Sequence, residues 1–152
     1  MDVNENFFHS LLIVVPPTSN TVSGKGARRI KQELADWINS LEDVKQFAEG
    51  DKLFGRIFYF NHESRAARDI HNIIKPLFDV LEGKIIHDDK QICHFEGMRL
   101  DMAHSNSWFE LEYRLPAAEI QKVLKQTCCL VQISKLPALP PSSVTVKWLQ
   151  GE

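Results

Sequence analysis

Cysteine is scarce in this chain, and none of its three residues has a partner at metal-ligand spacing. Cys93 stands alone and Cys128 and Cys129 are adjacent, which argues against a zinc ribbon or a disulfide framework and predicts three free thiols in a reducing compartment. Long apolar runs are also missing: nothing approaches the roughly eighteen consecutive apolar residues of a membrane span. The opening Met-Asp-Val-Asn-Glu-Asn has no basic n-region, so the expectation is a cytoplasmic protein with no membrane partner. Nor is positive charge in excess. A formal net charge of -2 gives no global pull toward nucleic acid, so any such contact must come from a local patch. There is no internal repeat, and no low-complexity tract apart from the proline-rich end that contains Pro137, Pro140 and Pro141.

What is present suits one domain with a real core: 152 residues, 43% of them hydrophobic. Residues 7 to 15, apolar and partly β-branched, end at Pro16-Pro17 and read as a buried strand. Ile30, Leu34, Trp37, Ile38 and Leu41 then recur at helical spacing, predicting a helix over 27 to 41. Residues 53 to 60 are aromatic and β-prone, a second strand. A second amphipathic helix follows through Ile70, Ile73, Ile74, Leu77, Phe78 and Leu81, with Asp69 as N-cap and Gly83 as stop. Pro76 inside it predicts a bent or late-starting helix. Residues 91 to 100 and 107 to 115 read as two strands joined in an antiparallel hairpin. Pro116 opens a helix through Ile120, Val123 and Leu124, and Cys128 to Ser134 reads as a last short strand before a loosely attached tail. The class expected is α+β, of order β-α-β-α-β-β, with a mixed, largely antiparallel sheet and a helix-containing C-terminal extension.

Two basic patches stand out among the charged residues. Lys25, Arg28, Arg29 and Lys31 crowd the start of the first helix, where the macrodipole disfavours cations by a few tenths of a kcal/mol each, roughly, and an anionic partner would relieve the strain. Arg65, Arg68 and Lys75 surround Asp69 and His71, and Asp88-Asp89 lies beyond the second helix. Two acidic clusters bracketing a short helix can hold a hard divalent cation, because carboxylate oxygens suit Mg²⁺ and Mn²⁺. Plainer readings fit each piece alone. Asp69 is a good N-cap, Asp88-Asp89 a polar turn, Lys75 and Asp79 a surface pair, and the basic cluster a solvated helix start.

Taken together, Pro16-Pro17-Thr18-Ser19-Asn20, then Arg68-Asp69-Ile70-His71-Asn72-Ile73-Ile74-Lys75 with Phe78-Asp79, then Asp88-Asp89 resemble the RusA family of Holliday-junction resolvases. The resemblance covers about residues 7 to 115. It implies an endonuclease domain over 1 to 135, with 116 to 135 as an extension and 136 to 152 as a tail. It also implies a homodimer that nicks branched DNA symmetrically using Mg²⁺ or Mn²⁺, of a kind often encoded by phages or prophages. Asp69, Lys75 and Asp89 occupy the family's acid, lysine and acid positions, while His71 stands where the family has a second acid. In this reading Asp69, His71 and Asp89 hold the cation, Lys75 offsets charge on the phosphoryl group, and Lys25, Arg28, Arg29, Arg65 and Arg68 contact DNA. Three roles fit His71: a ligand that shifts the preference from Mg²⁺ toward Mn²⁺ or Zn²⁺, a base for the attacking water, or the mark of a weakened nuclease that still binds DNA. The sequence leaves open whether another acid, such as Glu63 or Asp79, is brought near in space to compensate for His71.

Overall fold

Nearly unbroken burial along Leu53–Asn61 and Cys128–Lys135 sets the architecture, since both strands bury side chains on both faces and so belong inside a sheet. The computed structural model describes residues 7–13, 25–42, 44–62, 71–102, 109–113, 117–140 and 144–148. In chain order these give β1 (Phe7–Ile13), α1 (Lys25–Ser40), β2 (Leu53–Asn61), α2 (His71–Leu81) and a 3-10 turn (Asp89–Gln91). There follow β3 (Ile92–Asp101), β4 (Phe109–Tyr113), α3 (Ala117–Lys125), β5 (Cys128–Lys135) and β6 (Val144–Trp148).

The main sheet has the order β1-β5-β2-β3, with β5 antiparallel to both neighbours and β3 parallel to β2. The α+β class and the mixed, largely antiparallel sheet are as expected. One face carries Leu53, Ile57 and Tyr59 of β2 with Cys129, Val131 and Ile133 of β5, covered by Leu34, Trp37 and Ile38 of α1 and Ile73, Leu77 and Leu81 of α2. The other carries Phe58, Phe60, Leu100, Cys128 and Leu130 under Val123 of α3. Each of the larger apolar side chains contributes about 1.5–3 kcal/mol by leaving water. The α2 helix runs unbroken across Pro76, which has no N–H to give the carbonyl of Asn72.

Two expectations need correction. The hairpin of β3 with β4 does not form: β3 pairs with β2, and β4 pairs with β6. Alternation marks a strand without naming its partner, and here the register sets Phe109 against Trp148, Leu111 against Val146 and Tyr113 against Val144, apolar position to apolar position. The proline-rich tail is therefore not merely loosely attached, because Val144–Trp148 supplies a strand. Within residues 116 to 135, Cys128–Lys135 forms β5, an inner strand of the main sheet. Cys128 and Cys129 are free thiols, as expected, and face opposite cores. Burial pushes the Cys128 thiol up to about 12 and the Cys129 thiol up as well, so neither is a thiolate at neutral pH.

Candidate active site

The connection from α2 to β3 turns an ordinary helix end into a platform for three acids. Glu82 extends the helical bonding by donating its N–H to the Phe78 carbonyl at 3.1 Å. Gly83 then reverses the chain at φ 87, a conformation that a side chain would strain. The Leu81 carbonyl accepts from Ile85 and Ile86 at 2.9 and 3.1 Å, and both isoleucines are fully buried, so the turn is pinned to the core. His87, Asp88 and Asp89 emerge from it exposed.

Asp88 caps the 3-10 turn, its carboxylate accepting from the Lys90 N–H at 2.9 Å. The Asp89 N–H donates to Glu82 Oε1 at 3.1 Å, drawing the end of α2 toward the turn. Glu82, Asp88 and Asp89 can then each offer one oxygen, all within 4.8 Å of one another. An all-carboxylate donor set of that spacing fits a hard divalent cation.

The two aspartates titrate unequally. The Lys90 backbone N–H holds the Asp88 carboxyl below its usual range, helped by a hydrogen bond with Asp89. The same bond to Asp88 is the main reason that Asp89 is held above it, with desolvation and the charges of Asp88 and Glu82 adding to the effect. As pH falls Asp89 therefore takes up its proton before Asp88 does, and any cation bound there is weakened from a higher pH than a lone aspartate would give. We expect a carboxyl NMR titration to place Asp89 above Asp88, and Asp88→Asn to move Asp89 down toward the ordinary value. Equal midpoints in the unaltered protein would contradict the shared proton.

Of the residues singled out in the sequence, Asp89 joins this group, and Lys75 is exposed on α2 one turn before Asp79, also exposed. Asp79 is not among the clustered acids. His71 opens α2, where only its backbone is described, and Asp69, Arg65, Arg68 and Glu63 lie outside the described residues. Arg28 and Lys31 are exposed on α1, a helix with no acid in its first turn, and Lys25 and Arg29 belong to the same helix. Two contributors escape the sequence reading. Glu82 looks like the last residue before a glycine stop, and Gln91 like the start of a strand, although Asp88-x-x-Gln91 has the spacing of a capping box and could have signalled the turn.

Comparison with known proteins adds one finding. The family model described as Endodeoxyribonuclease RusA matches residues 19–107, more than half of the chain. That stretch contains α1, β2, α2, the acidic turn and β3, and with them Lys75, Glu82, Asp88 and Asp89. No curated protein matches the chain. Among the described residues, no helix is long and apolar enough to cross a membrane.

Proposed function

The chain belongs to the RusA family of endodeoxyribonucleases, and from that premise we propose that it nicks four-way DNA junctions in a divalent-cation-dependent reaction, working as a homodimer. The observation that supports this most is the gathering of Glu82, Asp88 and Asp89 at the end of the helix that carries Lys75. Asp89, with Asp69 from the family pattern, His71 at the position of its second acid and Glu82 beside it, would hold Mg²⁺ or Mn²⁺. Such an ion, when bound, supplies a Lewis acid for a phosphoryl oxygen and acidifies a water. The chain's own groups do the rest. Lys75 presents an ammonium, free of burial, to offset charge developing on the phosphoryl oxygens. Lys25, Arg28 and Arg29 in the N-terminal turns of α1, with Arg65 and Arg68, take backbone phosphates, which also relieves their clash with the helix dipole. Two like strands cut across a two-fold junction call for two like sites, hence the dimer.

The test is a nicking assay on a four-way junction beside a linear duplex of the same sequence, in Mg²⁺, in Mn²⁺ and in chelator. Paired nicks in the junction that need the cation support the proposal. Position 71 favours one other reading, a weakened nuclease that binds junctions without cutting, and tight binding with no cleavage in either metal would establish that instead. His71→Asp separates the two further. Restoring a carboxylate is expected to raise the Mg²⁺-supported rate by about tenfold, since Mg²⁺ prefers oxygen to imidazole nitrogen. No increase would remove His71 from the ligand set.

A further inference from the structure

We propose that Gln91 is the positioning residue of this site: a buried amide that fixes the acidic turn to the body of the protein and so sets its affinity for the cation. The inference rests on the nuclease reading, and it concerns a side chain that would touch neither DNA nor metal. Gln91 is 8% exposed although it lies two residues from the solvated Asp89. Every bonding position of its amide is used. Oε1 accepts from the His87 N–H at 2.7 Å and the Asp88 N–H at 3.3 Å. Nε2 donates to the carbonyls of Ala48, Glu49 and Asp51 at 2.8, 3.2 and 3.2 Å.

The far side of that clamp is itself fixed. Asp51 closes its own loop, giving its N–H to the Ala48 carbonyl and accepting the Ala48 N–H on its carboxylate. The same carboxylate pairs with Lys135 of β5 at 3.0 Å. A chain of contacts thus leads from the inner strand through the 48–51 loop and Gln91 to the backbone that bears Asp88. Neighbouring ties, Phe47 N–H to the Ile85 carbonyl and Gln46 Nε2 to the Ile86 carbonyl, stop at the buried isoleucines. Beyond them, Asp88 and Asp89 have no burial of their own to hold them. The bond from the Asp89 N–H to Glu82 and the cap from Asp88 to Lys90 bind the acids to each other and to their own turn. It is Gln91 that links His87 and Asp88 to the 48–51 loop. The amide is needed chemically as well, since a carboxylate would accept from His87 and Asp88 but would turn an oxygen toward three carbonyl oxygens.

The test uses the full chain and Mn²⁺ as probe, with binding read directly from loss of the free-ion EPR signal and nicking measured across the same titration. Gln91→Met keeps the length and apolar stem and removes all five contacts. Its Mn²⁺ affinity should fall by about tenfold or more, and its nicking midpoint should move to higher Mn²⁺ by the same factor, with most of the rate recovered at saturating ion. A purely structural role would lower the melting temperature and the active fraction and leave that midpoint in place. Gln91→Glu carries the test if the Met variant does not melt cooperatively: its added charge alone would tighten cation binding, so weakening there reports misplacement. A cooperatively melting variant that binds Mn²⁺ within about twofold of the unaltered protein would overturn the proposal while leaving the nuclease reading intact. No Mn²⁺ binding and no nicking by the unaltered protein would sink both.

Discussion

Asp89→Asn should reduce junction nicking by about a thousandfold, to background in an ordinary assay, while leaving the fold and junction binding in place. Asp89 is where sequence pattern and geometry meet. It is the second acid of the Asp88-Asp89 pair on which the resemblance rests, and it is one of three carboxylates brought within 4.8 Å of each other. Amide for carboxylate keeps the shape and removes the charge a cation needs. It also removes the like charge that Asp88 faces, so the variant is not expected to melt lower than the unaltered protein. Glu82→Gln is the instructive companion, since that carboxylate already accepts the Asp89 N–H, a bond that an amide oxygen can keep. Rates are best compared in low and high salt, because a loss confined to high salt would point to phosphate contacts instead of the ion site. A variant Asp89→Asn that nicks as the unaltered protein does would move the chemistry away from this turn altogether.

How far the sequence carries toward this site depends on which physical signal each piece leaves. Helix and strand positions are legible because burial is periodic: Leu34, Trp37 and Ile38 on α1, or Ile73, Leu77 and Leu81 on α2, are core residues both by spacing and in the structure. Asp89 and Lys75 are candidates from the sequence because they stand in short motifs at the spacing of the resemblance, and of the two Asp89 joins the clustered acids. Glu82 and Gln91 are not legible there, since their roles come from hydrogen bonds to residues whose proximity depends on the fold. Glu82 meets the Asp89 N–H seven residues on, and Gln91 reaches carbonyls at 48, 49 and 51, some forty residues back. Pairing is illegible for a related reason. Nothing in the alternation of 109 to 113 distinguishes a neighbour earlier in the chain, such as β3, from one well beyond it, and the choice of β6 over β3 is made by tertiary packing.

The same dependence on distant partners governs the expected effect of shortening the chain. Ending it after Lys125 should abolish cooperative folding, although the family match stops at residue 107 and everything beyond could be taken as an appendage. In the main sheet β5 is the strand that both β1 and β2 bond to, and among the described residues it is the only strand partner of β1. Cutting it away exposes Leu53, Ile57, Tyr59 and Phe60 of β2, each almost fully buried, along with one edge of backbone N–H and carbonyl groups. A single large-to-small change in β5, Leu130→Ala, should already cost about 2–5 kcal/mol, a large part of a domain's total stability. Losing the strand removes several such side chains and two rows of ladder bonds at once. Ending the chain after Leu139 instead leaves the order β1-β5-β2-β3 complete and, of the described strands, takes away β6 alone, the partner of β4, so that fragment should still melt cooperatively. Circular dichroism melts of the two fragments beside the whole chain decide the matter: a 1–125 fragment with a sharp transition and undiminished β-signal would mean that the matched family region folds without β5, and β5 could not then be the strand that joins β1 to β2.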